Sequence, residues 1–273
     1  MSISELSKAW ADHNRRFANF CFVYPVISRR AKGLSIGINC TPNCACSYDC
    51  IYCQVNKKNT SAKVPSVDEI ISELKEILSI YHNTKLAEHF PNIEEKNRIL
   101  RDIALSGDGE PTLYPYFAEL CERLKEIPEI PKLVLITNAA QLEKVQSFNG
   151  EIWGKLDAGT DEWLNFINRP AKGIDIASIE NNLKFAVSRF PLRIQTMLCE
   201  VQGKTASEME IKNYAQIIQR VYETNPKNLL SVQIYSVARP VAENTVQPLP
   251  MEFLENVKKK VEEKNSNLTV EIF

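Results

Sequence analysis

Five cysteines fall within fourteen consecutive positions of this chain, at Cys40, Cys44, Cys46, Cys50 and Cys53, and three lie elsewhere, at Cys21, Cys121 and Cys199. Thiols this dense can form disulfides, ligate zinc, hold an iron–sulfur cluster or fill apolar space. The N-terminal MSISELSKAW has no basic region leading into an apolar run, so it does not read as a secretory signal. A cytoplasmic location is expected, where thiols stay reduced, which argues against disulfides. Four-cysteine zinc sites usually come as two separated C-x-x-C pairs. Here Cys50-Ile51-Tyr52-Cys53 is C-x-x-C, and no second pair lies downstream. Chance burial explains such clustering poorly. Iron–sulfur clusters are held by thiolates, and the CxxxCxxC run from Cys46 through Cys50 to Cys53 supplies three. Three ligands leave one iron of a cubane open. An open position suits catalysis, as it does at catalytic zinc, whereas a pure electron carrier would normally want a fourth cysteine.

Groups of this kind need rigid elements to aim them. Expected strands are LSIGIN (34–39), ILRDIAL (99–105), KLVLIT (132–137), GKLDAG (154–159), RIQTML (193–198) and LLSVQIY (229–235), with LTVEIF (268–273) as a closing strand. Ser66-Val67-Asp68-Glu69 is a capping-box signature. Val67, Ile70, Ile71, Leu74, Ile77 and Leu78 then recur at helical spacing. Further helices are expected over 116–126, from near Gln141, and over 174–190, 207–222 and 252–264. Strands alternating with helices imply parallel pairing through right-handed crossovers. The expected fold is α/β, a partial or closed parallel (βα)6 barrel over residues 34–273, with residues 1–33 as an N-terminal extension packed on it. Sites in such folds sit on the loops after the strands. The cysteine loop, SGDGEPT, TNA, LDAGTD, CEVQG and YSVARP all follow expected strands, so they should converge on one face.

The composition is that of an ordinary globular protein, with 44% hydrophobic and 25% charged residues. A formal charge of −1 gives no global basic excess for nucleic acid. Arg15, Arg16, Arg29, Arg30 and Lys32 nevertheless crowd one region, as a local anion-binding patch or a solvated surface. No apolar stretch is long enough to span a membrane, and none is expected. His13, His82 and His89 show no ligand spacing.

CxxxCxxC after the first strand, with aromatic Tyr52 just before the last cysteine, resembles the radical S-adenosylmethionine superfamily. SGDGEPTLYP resembles that family's glycine–glutamate motif, and LITNA resembles the Thr-Asn end of its third strand. VYPVISRRAKGLSIGIN and KLDAGTDEWLNFINRP resemble one subgroup, compact iron–sulfur oxidoreductases related to wyosine-type tRNA-modifying enzymes. The likeness spans roughly residues 22–240. It implies a 4Fe–4S cluster on Cys46, Cys50 and Cys53, with S-adenosylmethionine chelated to the open iron. Reductive cleavage would give methionine and a 5′-deoxyadenosyl radical that abstracts hydrogen from an unidentified substrate. A flavodoxin or ferredoxin would supply the electron. Two alternatives stand beside this reading. One is a tRNA-modifying enzyme of wyosine type, and the other a non-catalytic iron–sulfur or zinc protein.

The same resemblance implies cofactor-binding roles. Gly107 and Gly109 permit sharp turns and close approach. Glu110 would accept from the cofactor's ammonium, or be an ordinary loop carboxylate. Tyr52 would lie near the adenine, or pack over the cluster. Asn138 would bind the cofactor or cap the strand end, although Ala139 stands where glycine often follows. Asp157, ending an expected strand, would bond ribose hydroxyls. Arg169 and Arg239 could meet a carboxylate or phosphate bidentately, or form structural salt bridges. Gln233 and Tyr235 are weaker candidates. No residue is assigned as catalytic. Upstream cysteines bind a second cluster in wyosine-type enzymes, but the spacing of Cys21, Cys40 and Cys44 does not match that pattern. Cys121 and Cys199 read as buried residues.

Overall fold

Val23–Ser28 (β1) and Gly33–Ile38 (β2) form an antiparallel hairpin, with Val23 opposite Ile38 and Ser28 opposite Gly33. The computed structural model describes residues 17, 19–55, 62–83, 90, 93–239, 241 and 243–273. Arg15, Arg16, His13 and His89 lie outside the described residues. Arg29 and Arg30 occupy the hairpin turn, which Lys32 closes in the left-handed region at φ 59°. The expectation of wholly parallel strands missed β1. Its residues sit in the span expected to be an extension, yet they form a sheet edge strand.

The chain divides into two compact units. In the first, β2 pairs in parallel with Leu100–Leu105 (β3), which pairs in parallel with the start of Leu133–Thr137 (β4). All six residues of β2 are buried. Val67–His82 (α1) begins at the capping box. The Ser66 side chain accepts from the Glu69 N–H, while the Glu69 carboxylate accepts from the Ser66 N–H at 2.8 Å. The apolar positions read from its periodicity form its buried face. Glu73 of α1 accepts from the N–H groups of Cys21, Phe22 and Val23 at 2.9, 2.8 and 3.0 Å, fixing the start of β1. Phe117–Lys125 (α2) follows β3.

In the second unit, Glu151–Lys155 (β5), Leu192–Leu198 (β6), Leu229–Ser236 (β8) and Val270–Ile272 (β10) pair in parallel in that order. Asp161–Ile167 (α3) and Ile176–Arg189 (α4) connect β5 to β6. Glu208–Thr224 (α5) and Met251–Lys264 (α6) precede β8 and β10. Glu200–Val201 (β7) and Val246–Gln247 (β9) form a small antiparallel pair. The expected strand at 154–159 starts and ends earlier, so Asp157 lies beyond the strand rather than at its tip. Among the described residues, no helix is long and apolar enough to cross a membrane.

Candidate active site

In the first unit, the loop after β3 closes onto the start of the cysteine loop. Asn39 Nδ2 donates to Asp108 Oδ2 at 2.6 Å, and the Asp108 N–H donates to Asn39 Oδ1 at 3.1 Å. A side chain on Gly107 would strike Asn39. One on Gly109 would lie 2.9 Å from the nitrogen and carbonyl carbon of Ala45. The Glu110 N–H donates to the Ala45 carbonyl at 2.7 Å, so the glycines allow backbone to meet backbone immediately before Cys46. Glu110 is buried. Its Oε1 accepts from the N–H and hydroxyl of Thr112, at 3.1 and 2.8 Å, capping the turn at Pro111–Leu113. Cys40 is fully buried. Burial raises its thiol pKa and pushes that of Cys121 up to about 12. Cys21 is exposed, and Cys44 is partly exposed at φ 59°.

In the second unit, the cysteine loop is held by the segment that ends α3. The Ile51 N–H donates to the Ile167 carbonyl at 2.9 Å, the Asp49 N–H to the Asn168 carbonyl at 3.0 Å, and the Ala171 N–H to the Ser47 carbonyl at 2.8 Å. Tyr48 bridges Pro170. α3 stops here because proline disfavours helix in the residue before it. Arg169 takes the left-handed conformation at φ 45°. Its guanidinium lies bidentate on Glu243, with Nη2 3.1 Å from Oε2. Of its two sequence readings, the salt bridge is the one present. Arg239 donates to Gln54 Oε1 at 3.4 Å.

Cys46 is exposed, while Cys50 and Cys53 are partly so. The Tyr48 N–H donates to Cys46 Sγ at 3.4 Å, and Asn138 Nδ2 lies 3.7 Å from the same sulfur and 2.9 Å from Ser47 Oγ. Asn138 Oδ1 accepts from the Ala140 N–H at 3.0 Å. Ala139 adopts φ 63°, a conformation that suits glycine. Asn182 holds it there by donating to the carbonyls of Ala139 and Ala140, at 3.0 and 2.9 Å.

Asp157 organises the surroundings of Cys50. It is 5% exposed, and both its oxygens are occupied. Oδ1 accepts from the Met197 N–H at 2.7 Å and from Lys155 Nζ at 3.0 Å. Oδ2 accepts from the Tyr52 hydroxyl, and from Asn168 Nδ2 at 3.0 Å. A carboxylate has about four lone-pair sites, so four donors satisfy it. Lys155 also donates to the Tyr235 hydroxyl at 3.0 Å and lies 5.1 Å from the ring centres of both Tyr52 and Tyr235. Burial alone would lower the Lys155 pKa. Asp157 and then Tyr235 outweigh it and carry the ammonium above its usual range. Burial, then the Asp157 charge, raises Tyr52 well above the ordinary phenol. Gln233 bonds to Gln195 at 2.9 Å inside the sheet.

An apolar wall completes the site. Ile51, Tyr52, Ile167, Met197, Cys199, Val201 and Val246 are buried together, and Trp163, Phe166 and Tyr235 pack against them beside Cys50. Burial pushes the Cys199 thiol up to about 12. Lys155 and Asn168 were missed in the sequence. Lys155 precedes Asp157 by two positions, which in an extended segment places both side chains on one side. No spacing rule reaches from Asn168 to Cys50.

The radical SAM superfamily model matches residues 41–210. A GTPase Obg of Brachyspira hyodysenteriae is 31% identical over 91% of the chain, which spans about a third (34%) of that protein. An S-adenosyl-L-methionine-dependent tRNA 4-demethylwyosine synthase of Schizosaccharomyces pombe is 31% identical over 59% of the chain and 24% of its own length. Among solved structures, TYW1 with a lysine–pyruvate adduct bound has a TM-score of 0.63 at 16% identity, covering 94% of this chain and 80% of that one. That likeness concerns fold. With the family model covering most of the sequence, the chain belongs to the radical SAM superfamily.

Proposed function

We propose that this protein is a radical SAM enzyme whose Cys46, Cys50 and Cys53 hold a 4Fe–4S cluster. The donor set fits that group. None of the three is in a disulfide, and all lie on one eight-residue loop. Among the described residues, no three Cys, His, Asp or Glu side chains converge as ligands to a single ion would. Thiolates of a cubane each bind a different iron and need no common centre. When bound, the cluster and S-adenosylmethionine supply a 5′-deoxyadenosyl radical that takes hydrogen from a substrate.

The chain's own residues position and enclose. The backbone bonds from 47–51 to 167–171 fix the thiolate loop. Gly107 and Gly109 admit close approach. Glu110, Asn138 and Tyr52 are proposed cofactor contacts. Asp157, with its oxygens occupied, acts by holding Tyr52 and Lys155 in place. The wall of Met197, Val201, Trp163 and Phe166 excludes water from the reacting centre. The observation that carries this reading is the CxxxCxxC loop clamped beside a buried polar network and an apolar wall.

Anaerobic reconstitution with iron and sulfide, then reduction and addition of S-adenosylmethionine, tests it. Wild type should hold about four irons per chain and release 5′-deoxyadenosine, and Cys50→Ala should release none. Zinc without a cluster, or a full cluster that does not bind the cofactor, overturns the reading and leaves a metal-binding protein. Similarity to the tRNA 4-demethylwyosine synthase favours tRNA as the substrate class within this reading. A tRNA mobility shift that weakens steeply with salt would support it. No shift at low salt would leave a peptide or small-molecule substrate.

A further inference from the structure

We propose that Asn168 is a positioning residue that tunes the cluster by donating a side-chain N–H to the sulfur of Cys50, raising the cluster's reduction potential. The inference rests on the cluster reading above and adds a residue to it.

Asn168 is 1% exposed at the end of α3. Its Nδ2 lies 3.3 Å from Cys50 Sγ, 2.7 Å from the Tyr52 hydroxyl and 3.0 Å from Asp157 Oδ2. These contacts fix which way the amide faces. An ionised carboxylate oxygen only accepts, so the amide atom beside Asp157 must be the nitrogen, and that same nitrogen faces the sulfur. The Oδ1 atom is buried with no hydrogen-bond partner among the described residues. A helix end asks only for backbone bonds here, and these are made. Asn168 takes its N–H to the Leu164 carbonyl at 2.8 Å and gives its carbonyl to the Asp49 N–H. A buried amide with an orphaned acceptor costs free energy that an apolar side chain of the same shape would avoid. Its retained feature is the NH₂ group, which has two hydrogens and three acceptors in reach. The Tyr52 hydroxyl and Asp157 Oδ2, themselves hydrogen-bonded to each other, share one hydrogen, so the second is available to sulfur.

Hydrogen bonds to the sulfurs set iron–sulfur potentials. A donor stabilises the more electron-rich, reduced cluster, so its loss must make reduction harder. Asn138 faces Cys46 from 3.7 Å, a longer contact with a weaker expected effect.

The test is an EPR-monitored redox titration of the reconstituted full-length protein. Asn168→Leu should keep its iron, and its reduction equilibrium constant should fall about tenfold, which for one electron is about 59 mV more negative. Asn168→Asp should fall further, because it sets a second negative charge beside the sulfur. Asn138→Leu should shift less. A purely structural Asn168 would leave the potential of iron-loaded Asn168→Leu unchanged, and that result, or a positive shift, overturns the proposal. Wild-type protein carrying side-chain 15N-asparagine decides the matter if the Asn168 variants lose their cluster. Pulsed EPR of the reduced state should show 15N coupling that persists when Asn138 is replaced by leucine, and its absence there also overturns the proposal. Failure of the cluster reading looks different, because wild type would then bind no cluster at all.

Discussion

The backbone N–H of Ile51 meets the carbonyl of Ile167 at 2.9 Å, and the two side chains are buried in one apolar cluster with Tyr52 and Met197. The cysteine loop is therefore held by a strand-like ladder and by packing together. Ile51→Ala keeps the ladder and removes the packing. At a site 1% exposed, this should cost about 2–4 kcal/mol. Urea unfolding should show a lower midpoint with unchanged slope, and iron retained after reconstitution should fall. Full stability with full iron would show that the ladder alone suffices.

That ladder marks the boundary of what the sequence discloses. The capping box at Ser66 and Glu69, the buried face of α1 and most strands are readable because they depend on local periodicity and local hydrogen bonds. β1 escapes because VYPVIS, fixed by Glu73 from a distant helix, carries no pattern that distinguishes an antiparallel edge from an extension. The cysteine triplet is readable from spacing. The network around it is not. Asp157 is visible as a polar residue near a strand end, but its four donors come from Tyr52, Lys155, Asn168 and Met197, brought together only by tertiary folding. Ala139 shows the converse. Its departure from glycine is plain in the sequence, and Asn182 supports the left-handed turn it must adopt.

Lys155 and Asp157 form an ion pair whose side chains are 17% and 1% exposed. Removing one partner leaves the other charge buried and uncompensated. Lys155→Met should therefore cost about 3 kcal/mol. The double variant Lys155→Met with Asp157→Asn should recover part of that loss in a double-mutant cycle. The Lys155 pKa is raised in the fold, so its contribution is complete below the ordinary lysine value of about 10.4 and is lost only as pH rises through the higher folded value. The cost of Lys155→Met should thus be level from pH 6 to 9. A cost that fades across that range would mean the ammonium titrates near neutrality and the pair is not as described.

Glu180 of α4 meets Arg220 of α5 through two bonds, Nε to Oε1 at 2.7 Å and Nη2 to Oε2 at 2.6 Å, and Lys184 adds a third at 2.6 Å. The Arg220 bonds lower the Glu180 pKa against the opposing effect of partial burial. A lowered carboxylate stabilises the fold above its unfolded pKa, and that contribution is lost as pH falls through the folded value. Arg220 is 45% exposed, so screening limits the gain. Glu180→Gln should cost about 1 kcal/mol at pH 7. The gap between wild type and variant should hold down to about pH 4.3 and close below it. Thermal melts at pH 7, 5 and 3 measure this. A gap unchanged at pH 3 would assign the effect to packing rather than charge.

Gly109 lies where the loop after β3 touches the backbone of Ala45, the residue before Cys46. A methyl group there meets main-chain atoms, which cannot rotate aside as a flexible side chain could. Either Ala45 moves, breaking the 2.7 Å bond from the Glu110 N–H to its carbonyl, or the loop after β3 lifts. Overpacking of this kind costs about 1–3 kcal/mol. Movement of Ala45 also displaces Cys46, the first of the proposed cluster ligands along the chain. Gly109→Ala should therefore lower stability and iron content together, whereas Gly173→Ala supplies a contrast. Gly173 has open space around it but sits at φ 91°, so its alanine variant should lose stability through backbone strain alone and keep its iron. Equal iron loss in both variants would mean that retention follows global stability, and the contact between Gly109 and Ala45 would have no special part in holding the cluster loop.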